Sequence, residues 1–372
     1  MLKRIYIDNF NCLVDFELKF DSINLFLGNN GAGKSTVFEA LRRIQHFVLG
    51  FSKVEGVFLS FNCTRWQKVQ TQRFELEIDG NGGNYEYLLT IEHDSHRSYV
   101  KHEQVLFNDQ VLLNFSMGEV QIFDDNYSHI ITYPFEWSQS ILPFLQQAHN
   151  TTKLTWFKKR MERFILVKIV PSQISGSSEQ EQMLLNSTMD NYFSWYRYIS
   201  RDQGKVAELM NCLKGVLDGF IGFKFLPFND GKVFLSLAFS SKKNKNEILN
   251  YSFDELSDGQ KIIIVLYTLL YCTKSEDYTI CIDEPENFLA LPEIQPWLTE
   301  LYDFCSENQI QALLISHHPV LINYLLASPI GYWFERESNA PVKVKKISNQ
   351  EAENTGLAIS ELIERGWLYD PA

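Results

Sequence analysis

Apolar and polar side chains alternate over residues 2 to 7 and 14 to 20, the period of half-buried strands, and Ile23-Asn24-Leu25-Phe26-Leu27 follows as a short buried strand. Val37, Ala40, Leu41, Ile44 and Phe47 then recur at helical spacing, so the chain passes from strand to helix across residues 28 to 36. Residues 51 to 72 have weak periodicity and carry Thr64-Arg65-Trp66, which reads either as a loop or short helix near that turn or as a packed surface aromatic. From 73 to 133 short alternating segments recur (Phe74-Glu75-Leu76-Glu77-Ile78, Tyr85-Glu86-Tyr87-Leu88-Leu89, Val120-Gln121-Ile122-Phe123). They are broken by Gly80-Asn81-Gly82-Gly83 and Asn108-Asp109, which predicts antiparallel hairpins. Helical patterns are expected over 153 to 164 and about 186 to 217, either side of a Ser/Gln/Glu-rich loop at 172 to 182, and three strand-like segments follow at 219 to 227, 232 to 240 and 249 to 253. Ile262, Ile263, Ile264, Val265, Leu266, Leu269 and Leu270 make a helix apolar nearly all round, which should be buried. Two apolar strands, Tyr278 to Ile282 and Ala312 to Ile315, and a helix at 357 to 366 complete an α/β chain. No heptad pattern is sustained across 134 to 250, and no solenoid-type repeat is present.

Composition narrows the class. With 372 residues and 45% apolar side chains the chain suffices for a substantial core, arranged as two or three domains or one large domain with insertions. A net charge of −12 argues against a wholesale electrostatic grip on nucleic acid and leaves room for a local basic groove. The N-terminal residues lack the apolar core of a signal peptide and no run approaches the length of a membrane span, so a soluble, cytoplasmic protein with no membrane partner is expected. Six cysteines (Cys12, Cys63, Cys212, Cys272, Cys281, Cys305) without a C-x-x-C pair read as buried free thiols rather than as disulfides or zinc ligands.

Four stretches carry chemistry. Gly28-Asn29-Asn30-Gly31-Ala32-Gly33-Lys34-Ser35-Thr36 fits G-x-x-x-x-G-K-[ST] between a strand and a helix. Its glycines let backbone N–H groups turn toward a polyphosphate, Lys34 reaches the β- and γ-phosphates, and Ser35 can ligate Mg²⁺. Ser257 and Gly259 open the apolar helix, where a hydroxyl and helix N–H groups either bind phosphate or merely cap the helix. Tyr278 to Asp283 ends in adjacent carboxylates. Asp283 is placed to hold the Mg²⁺ shell and Glu284 to polarise an attacking water, against the reading of a solvated acidic turn. Glu286 has no assigned role there and reads as a surface carboxylate. His317, just past a buried strand, reads as a γ-phosphate contact or as a turn histidine.

With these four pieces in this order, the chain resembles the ABC-type ATPase head of the SMC/RecF/OLD group of P-loop proteins, and more closely the short RecF-like predicted ATPases of AAA-labelled families in bacterial genomes. The residues that carry the likeness are Ile7-Asp8-Asn9-Phe10, the phosphate loop, Leu256-Ser257-Asp258-Gly259-Gln260, Asp283-Glu284-Pro285 and Ile315-Ser316-His317. It covers residues 1 to 50 and 250 to 335 well and the middle loosely. The resemblance implies a head with a mixed central sheet, an antiparallel β sub-domain and a helical insertion. Residues 1–150 would hold the phosphate loop and β sub-domain, 151–249 the helical and β insertion, and 250–372 the signature, the acidic strand and the switch histidine. It further implies that Gly28 through Thr36 bind ATP in one subunit while Ser257, Gly259 and Gln260 of a second subunit close over it, making a homodimer. Ser35, Asp283 and a glutamine would hold Mg²⁺. Gln146 is the candidate for that glutamine, with Gln139 and Gln147 as alternatives. Lys34, Glu284 and His317 would carry catalysis.

Departures qualify the resemblance. The stretch from Lys34 to Ser257 holds no long coiled coil, which argues against tethering or loop extrusion. The residues after His317, with Lys343, Lys345 and Lys346, carry no acid-rich TOPRIM nuclease pattern, so cleavage is expected from a partner. The functions implied are an ATP-driven switch in anti-phage defence or DNA maintenance, acting with a separately encoded nuclease or toxin; a RecF-like DNA-binding repair factor; and, third, the soluble subunit of an ABC transporter. The DNA reading needs a basic groove, for which Lys153, Lys158, Lys159, Arg160, Arg163, Lys242, Lys243 and Lys245 are the candidates.

Overall fold

The structure, a computed structural model, describes residues 1–94, 97–146, 148–228, 231–241, 247–307, 309–318, 321–323, 330–347 and 356–365. The alternating N-terminal segments form β1 (Leu2–Asp8) and β2 (Phe16–Lys19), paired antiparallel with Ile5 opposite Leu18 and Ile7 opposite Phe16, all four buried. On their polar face Arg4 bridges Glu17, Glu75 and Glu77. The wholly buried β3 (Ile23–Gly28) leads through the phosphate loop into α1 (Lys34–Val48), and a short α2 (Val54–Val57) opens the weakly periodic segment. Within that segment Thr64 is buried and its N–H donates to Asn9 Oδ1 at 2.9 Å, while Trp66 is half-buried.

Six hairpin strands follow: β4 (Thr71–Gly80), β5 (Gly83–His93), β6 (Ser98–Phe107), β7 (Gln110–Ser116), β8 (Glu119–Phe123) and β9 (His129–Pro134). With β1 and β2 they make an eight-stranded antiparallel sheet in the order β2-β1-β4-β5-β6-β7-β8-β9. Asn108 and Asp109 both adopt positive φ (48° and 63°), the geometry of a tight primed hairpin turn and the reason those residue types stand there. α3 (Thr152–Glu162) covers part of this sheet, with Trp156 stacked on Tyr85 at 4.8 Å and Phe157 against Tyr87 at 5.6 Å. Gln45 of α1 meets the end of this helix, its Nε2 donating to Met161 O in the last turn and to Phe164 O just beyond, both at 2.8 Å.

Glu103 lies buried on β6, accepting from Tyr87 Oη at 2.9 Å, Ser140 Oγ at 2.6 Å and the Ile141 N–H at 3.4 Å. Burial outweighs these donors and pushes its carboxyl from the ordinary 4.5 up to about 7. Between those values the folded protein holds a proton that the unfolded chain has released. The stabilising contribution is therefore complete below pH 4.5 and is lost as pH rises to about 7. Glu103→Gln should remove this slope. In denaturant titrations at pH 5 and pH 8 the difference in unfolding free energy between the two pH values should shrink by about 2 kcal/mol relative to the unsubstituted protein, and an unchanged difference would contradict the assignment.

The helix expected to run to 164 stops at Glu162. Phe164–Lys168 is a strand, β10, because four consecutive apolar residues there are buried in a sheet. The helical region expected over 186 to 217 is likewise two helices, α4 (Tyr192–Ile199) and α5 (Gln203–Val216), after a two-residue β11 (Ser177–Ser178). Asp202 breaks the run by capping α5, its carboxylate accepting from the N–H groups of Gly204 and Lys205 at 3.1 and 3.3 Å. β12 (Phe220–Pro227), β13 (Val233–Ser240) and β14 (Ile248–Ser252) fall where the three strand-like segments were expected and form a small antiparallel sheet with β11. α4 packs on it through Phe193 against Phe225 and Tyr196 against Phe223. α6 (Asp258–Thr273) is buried on nearly every side, and Tyr192 hydrogen-bonds Thr268 at 2.9 Å.

β15 (Tyr278–Asp283), α7 (Leu291–Ser306) and β16 (Ile310–Ile315) make a parallel crossover with Asp283 opposite Ile315, and β10 flanks β15 on its other side. The chain then adds β17 (Ile330–Glu335), parallel to β3, and β18 (Lys343–Ile347), antiparallel to β17, before α8 (Ile359–Glu364). Packing divides the chain into two compact units, Met1–Phe164 with Pro329–Ser348, and Ile165–Ser328 with Asn349–Ala372. All six cysteines are free thiols, four of them buried. Among the described residues no helix is long and apolar enough to cross a membrane, and the longest, α6 and α7, have 16 residues each.

Candidate nucleotide-binding site

In the first unit the phosphate loop is shaped by what its glycines permit. Gly28 has φ +130° and lies so close to β17 that a Cβ would stand 2.2 Å from Phe334 O. Gly33, the N-cap of α1, has φ +101°, and a Cβ there would stand 2.7 Å from Val342 Cγ2. Asn29, Asn30, Gly31 and Ser35 are exposed, Ala32 is buried and Thr36 is half-buried, with the Cys12 thiol directed at Thr36 Oγ1 at 3.8 Å. Lys34 is 5% exposed, and its ammonium donates to Gly28 O at 2.7 Å and Asn29 O at 3.0 Å. A buried cation held by loop carbonyls, under a helix that starts without a side-chain cap, is chemistry that fits a polyphosphate.

In the second unit Ser257 is the N-cap of α6 in a reciprocal capping box. Its Oγ accepts from Gln260 N at 3.3 Å, and its own N–H donates to Gln260 Oε1 at 3.1 Å. The capped-helix reading of these residues is thus present in the single chain. Gly259 lies where a Cβ would stand 3.3 Å from Phe288 O.

β15 ends at Asp283, which is half-buried, and Glu284 follows in the left-handed region at φ 56°, its N–H bonded to Ile315 O at 2.9 Å. The direction of Glu284 is therefore set by this turn and not by strand alternation. Glu284 Oε2 accepts from Lys168 Nζ at 3.0 Å and Asn287 Nδ2 at 2.9 Å. Burial raises the Glu284 carboxyl, but Lys168, Asn287 and the charge of His317 together outweigh it, so the group titrates below the usual carboxylate range. Burial likewise lowers the Lys168 ammonium, and the carboxylates of Glu284 and Asp283 more than reverse that. His317 is exposed at the end of β16. The second unit thus brings Glu284, Asp283, His317 and Lys168 together.

Lys168 escapes sequence reasoning because the helix expected over 153 to 164 takes in Phe164, and the short run from Ile165 to Lys168 after it is assigned to no element. As a strand, the run puts a cation at the end of β10, next to β15. Ser35 and Asp283 offer hard oxygen donors of the kind Mg²⁺ takes. Gln146 is exposed, and Gln139 is occupied with Glu136 at 2.9 Å; Gln147 lies outside the described residues.

Three of the cations proposed for a DNA groove have other engagements. Lys153 Nζ donates to Asp125 O at 2.8 Å and to Tyr127 Oη at 3.0 Å, Lys158 Nζ to Pro143 O at 3.0 Å, and Arg160 is 1% exposed beneath the Phe164 ring. Lys159 is exposed and Arg163 half-buried. Lys242, Lys243 and Lys245 lie outside the described residues.

A sequence profile described as "AAA domain" matches residues 4–258. The chain belongs to the AAA-domain family. A second profile, "AAA domain, putative AbiEii toxin, Type IV TA system", matches residues 215–323 of this AAA-domain chain. An OLD nuclease of Thermus scotoductus is 35% identical over 335 residues, which cover 86% of this chain and 59% of that protein. The chain therefore spans less than two thirds of that relative's length. The crystal structure of an SMC head bound to the C-winged helix domain of ScpA matches with a TM-score of 0.56 at 11% identity, covering 94% of this chain and 99% of that one, a likeness of fold. In sequence the AAA-domain chain is similar over a partial span to an OLD nuclease, and in fold it is like an SMC head, with a mixed α/β architecture of several sheets.

Proposed function

We propose that this AAA-domain chain is an ATP-binding and ATP-hydrolysing switch that dimerises on ATP. The observation that carries the reading is the buried Lys34 ammonium seated in a glycine-shaped loop at the start of α1. In this reading Lys34 and the loop N–H groups grip the triphosphate, and Ser257, Gly259 and Gln260 of a second copy close over it. Glu284 accepts a proton from the water whose oxygen attacks the γ-phosphorus, the bond to the β–γ bridging oxygen breaks, and ADP and phosphate leave. His317 is the γ-phosphate contact in this reading, and Ser35, Asp283 and Gln146 would hold Mg²⁺, which would offset charge on the phosphate oxygens.

The setting we favour is bacterial anti-phage defence or DNA maintenance with a separately encoded effector, supported by the likeness to an OLD nuclease over a partial span and by the toxin-related profile. The engagement of Lys153, Lys158 and Arg160 in internal contacts counts against a DNA groove built on those three residues.

A site shared between two copies makes turnover depend on their meeting. Phosphate release per chain should therefore rise with protein concentration from the nanomolar range and level off when the dimer saturates. Constant turnover per chain over that range, with light scattering showing single chains in Mg-ATP, would count against the shared site.

A further inference from the structure

Glu286 is not the surface carboxylate its place in an acidic turn suggests. It is 8% exposed, and Ser316 Oγ donates to its Oε1 at 2.5 Å. The backbone of His317 hydrogen-bonds the same carboxyl group. Ser316 Oγ in turn accepts the N–H of His318 at 3.0 Å. The other oxygen, Oε2, is buried with no hydrogen-bond partner. Such a group opposes folding by roughly 1 to 3 kcal/mol, a cost expected where a buried carboxylate does something besides pack.

Its neighbours show what that is. Glu286 lies two residues past Glu284, in a turn closed by Asn287 N to Glu284 O at 3.3 Å and by Leu289 N to Glu286 O at 3.1 Å. Asn287 Nδ2 also holds the Glu284 carboxylate. The backbone N–H of Glu284 is fixed to Ile315 O, one residue before Ser316. The turn bearing the proposed base and the turn bearing the histidine are thus fastened twice, once by backbone beside Glu284 and once by the Glu286–Ser316 pair beside His317.

We propose that Glu286 is a positioning residue that fixes His317 relative to Glu284 by anchoring the Ser316-His317-His318 turn, so that both address one γ-phosphate. This rests on the reading of Glu284 as the base and His317 as the phosphate contact. In this reading Lys34 and its loop, tied by Gly28 O and Asn29 O, grip the phosphates, so the loss should fall on turnover and spare ATP affinity. A displacement of about 1 Å at a reacting group costs up to about a hundredfold.

The test is a double-mutant cycle on steady-state hydrolysis, with ATP affinity measured separately. Glu286→Ala and Ser316→Ala should each lower kcat by about 10- to 100-fold with ATP affinity unchanged. Glu286→Gln, which keeps the Oε1 acceptor, should retain most of kcat. Adding Glu286→Ala to His317→Ala should cost less than about twofold more, because an anchor has nothing to hold once the imidazole is gone. A double variant that falls by the product of the two single losses, or a Glu286→Ala that weakens ATP binding and leaves kcat intact, overturns the proposal. If Glu286→Ala fails to fold, Ser316→Ala carries the same cycle. Failure of the parent reading looks different: Glu284→Gln and His317→Ala would each hydrolyse ATP at the unsubstituted rate.

Discussion

Glu284→Gln is expected to bind ATP as well as the unsubstituted chain, to hydrolyse it about a thousandfold more slowly, and to accumulate as an ATP-bound dimer. The amide keeps the size of the side chain and an oxygen to accept from Asn287, so the turn should hold, but it cannot take up the proton of an attacking water. The exchange also removes the negative charge that faces Lys168 at 3.0 Å. That pair is partly open to solvent, so its loss should cost little stability. Light scattering in Mg-ATP gives the decisive reading. A variant that remains single-chain there would end the two-subunit site, and one that turns over at the unsubstituted rate would remove Glu284 from catalysis.

Lys34→Ala should weaken ATP binding by about a hundredfold or more, because a charge-assisted hydrogen bond to phosphate inside a buried loop is worth on the order of 1.5 to 3 kcal/mol, and Lys34 serves more than one oxygen in this reading. The substitution also takes away the two donations that tie the loop to itself, to Gly28 O and Asn29 O. A calorimetric titration at constant Mg²⁺ measures the affinity, and circular dichroism separates a lost ligand from a lost fold. Unchanged affinity in a folded variant would refute the loop's role in gripping phosphate.

Much of this molecule can be read from residue order because its strongest signals are local. The period-two runs over 73 to 133 and the Asn108-Asp109 turn need nothing beyond their own neighbours to form hairpins, and they become β4 to β9. The apolar helix after Ser257 and the strands ending at Asp283 and Ile315 are equally self-declaring.

What sequence missed depends on partners far along the chain. Phe164 to Val167 becomes a strand because β15 lies beside it, more than a hundred residues later in sequence. Only that pairing brings Lys168 to Glu284. Glu286 looks solvated among Asp283, Glu284 and Asn287, and it is buried because Ser316 stands opposite. Arg160 looked available to nucleic acid as one of a run of cations, yet the helix turns it inward over Phe164. Periodicity assigns a face to a residue only where charge and pattern agree, and along α3 they do not.

The hydrogen bonds between Ser257 and Gln260 bear on reversibility. A triphosphate held by a neighbouring copy would have to share or displace a serine that is already satisfied at home, by an interaction worth roughly 1 kcal/mol. In the proposed dimer the grip across the two molecules would be weakened by that amount at each of two equivalent places, while each molecule alone keeps a capped helix end. Separation of such a dimer would return each chain to its capped helix, which would suit a device that lets go once its fuel is spent.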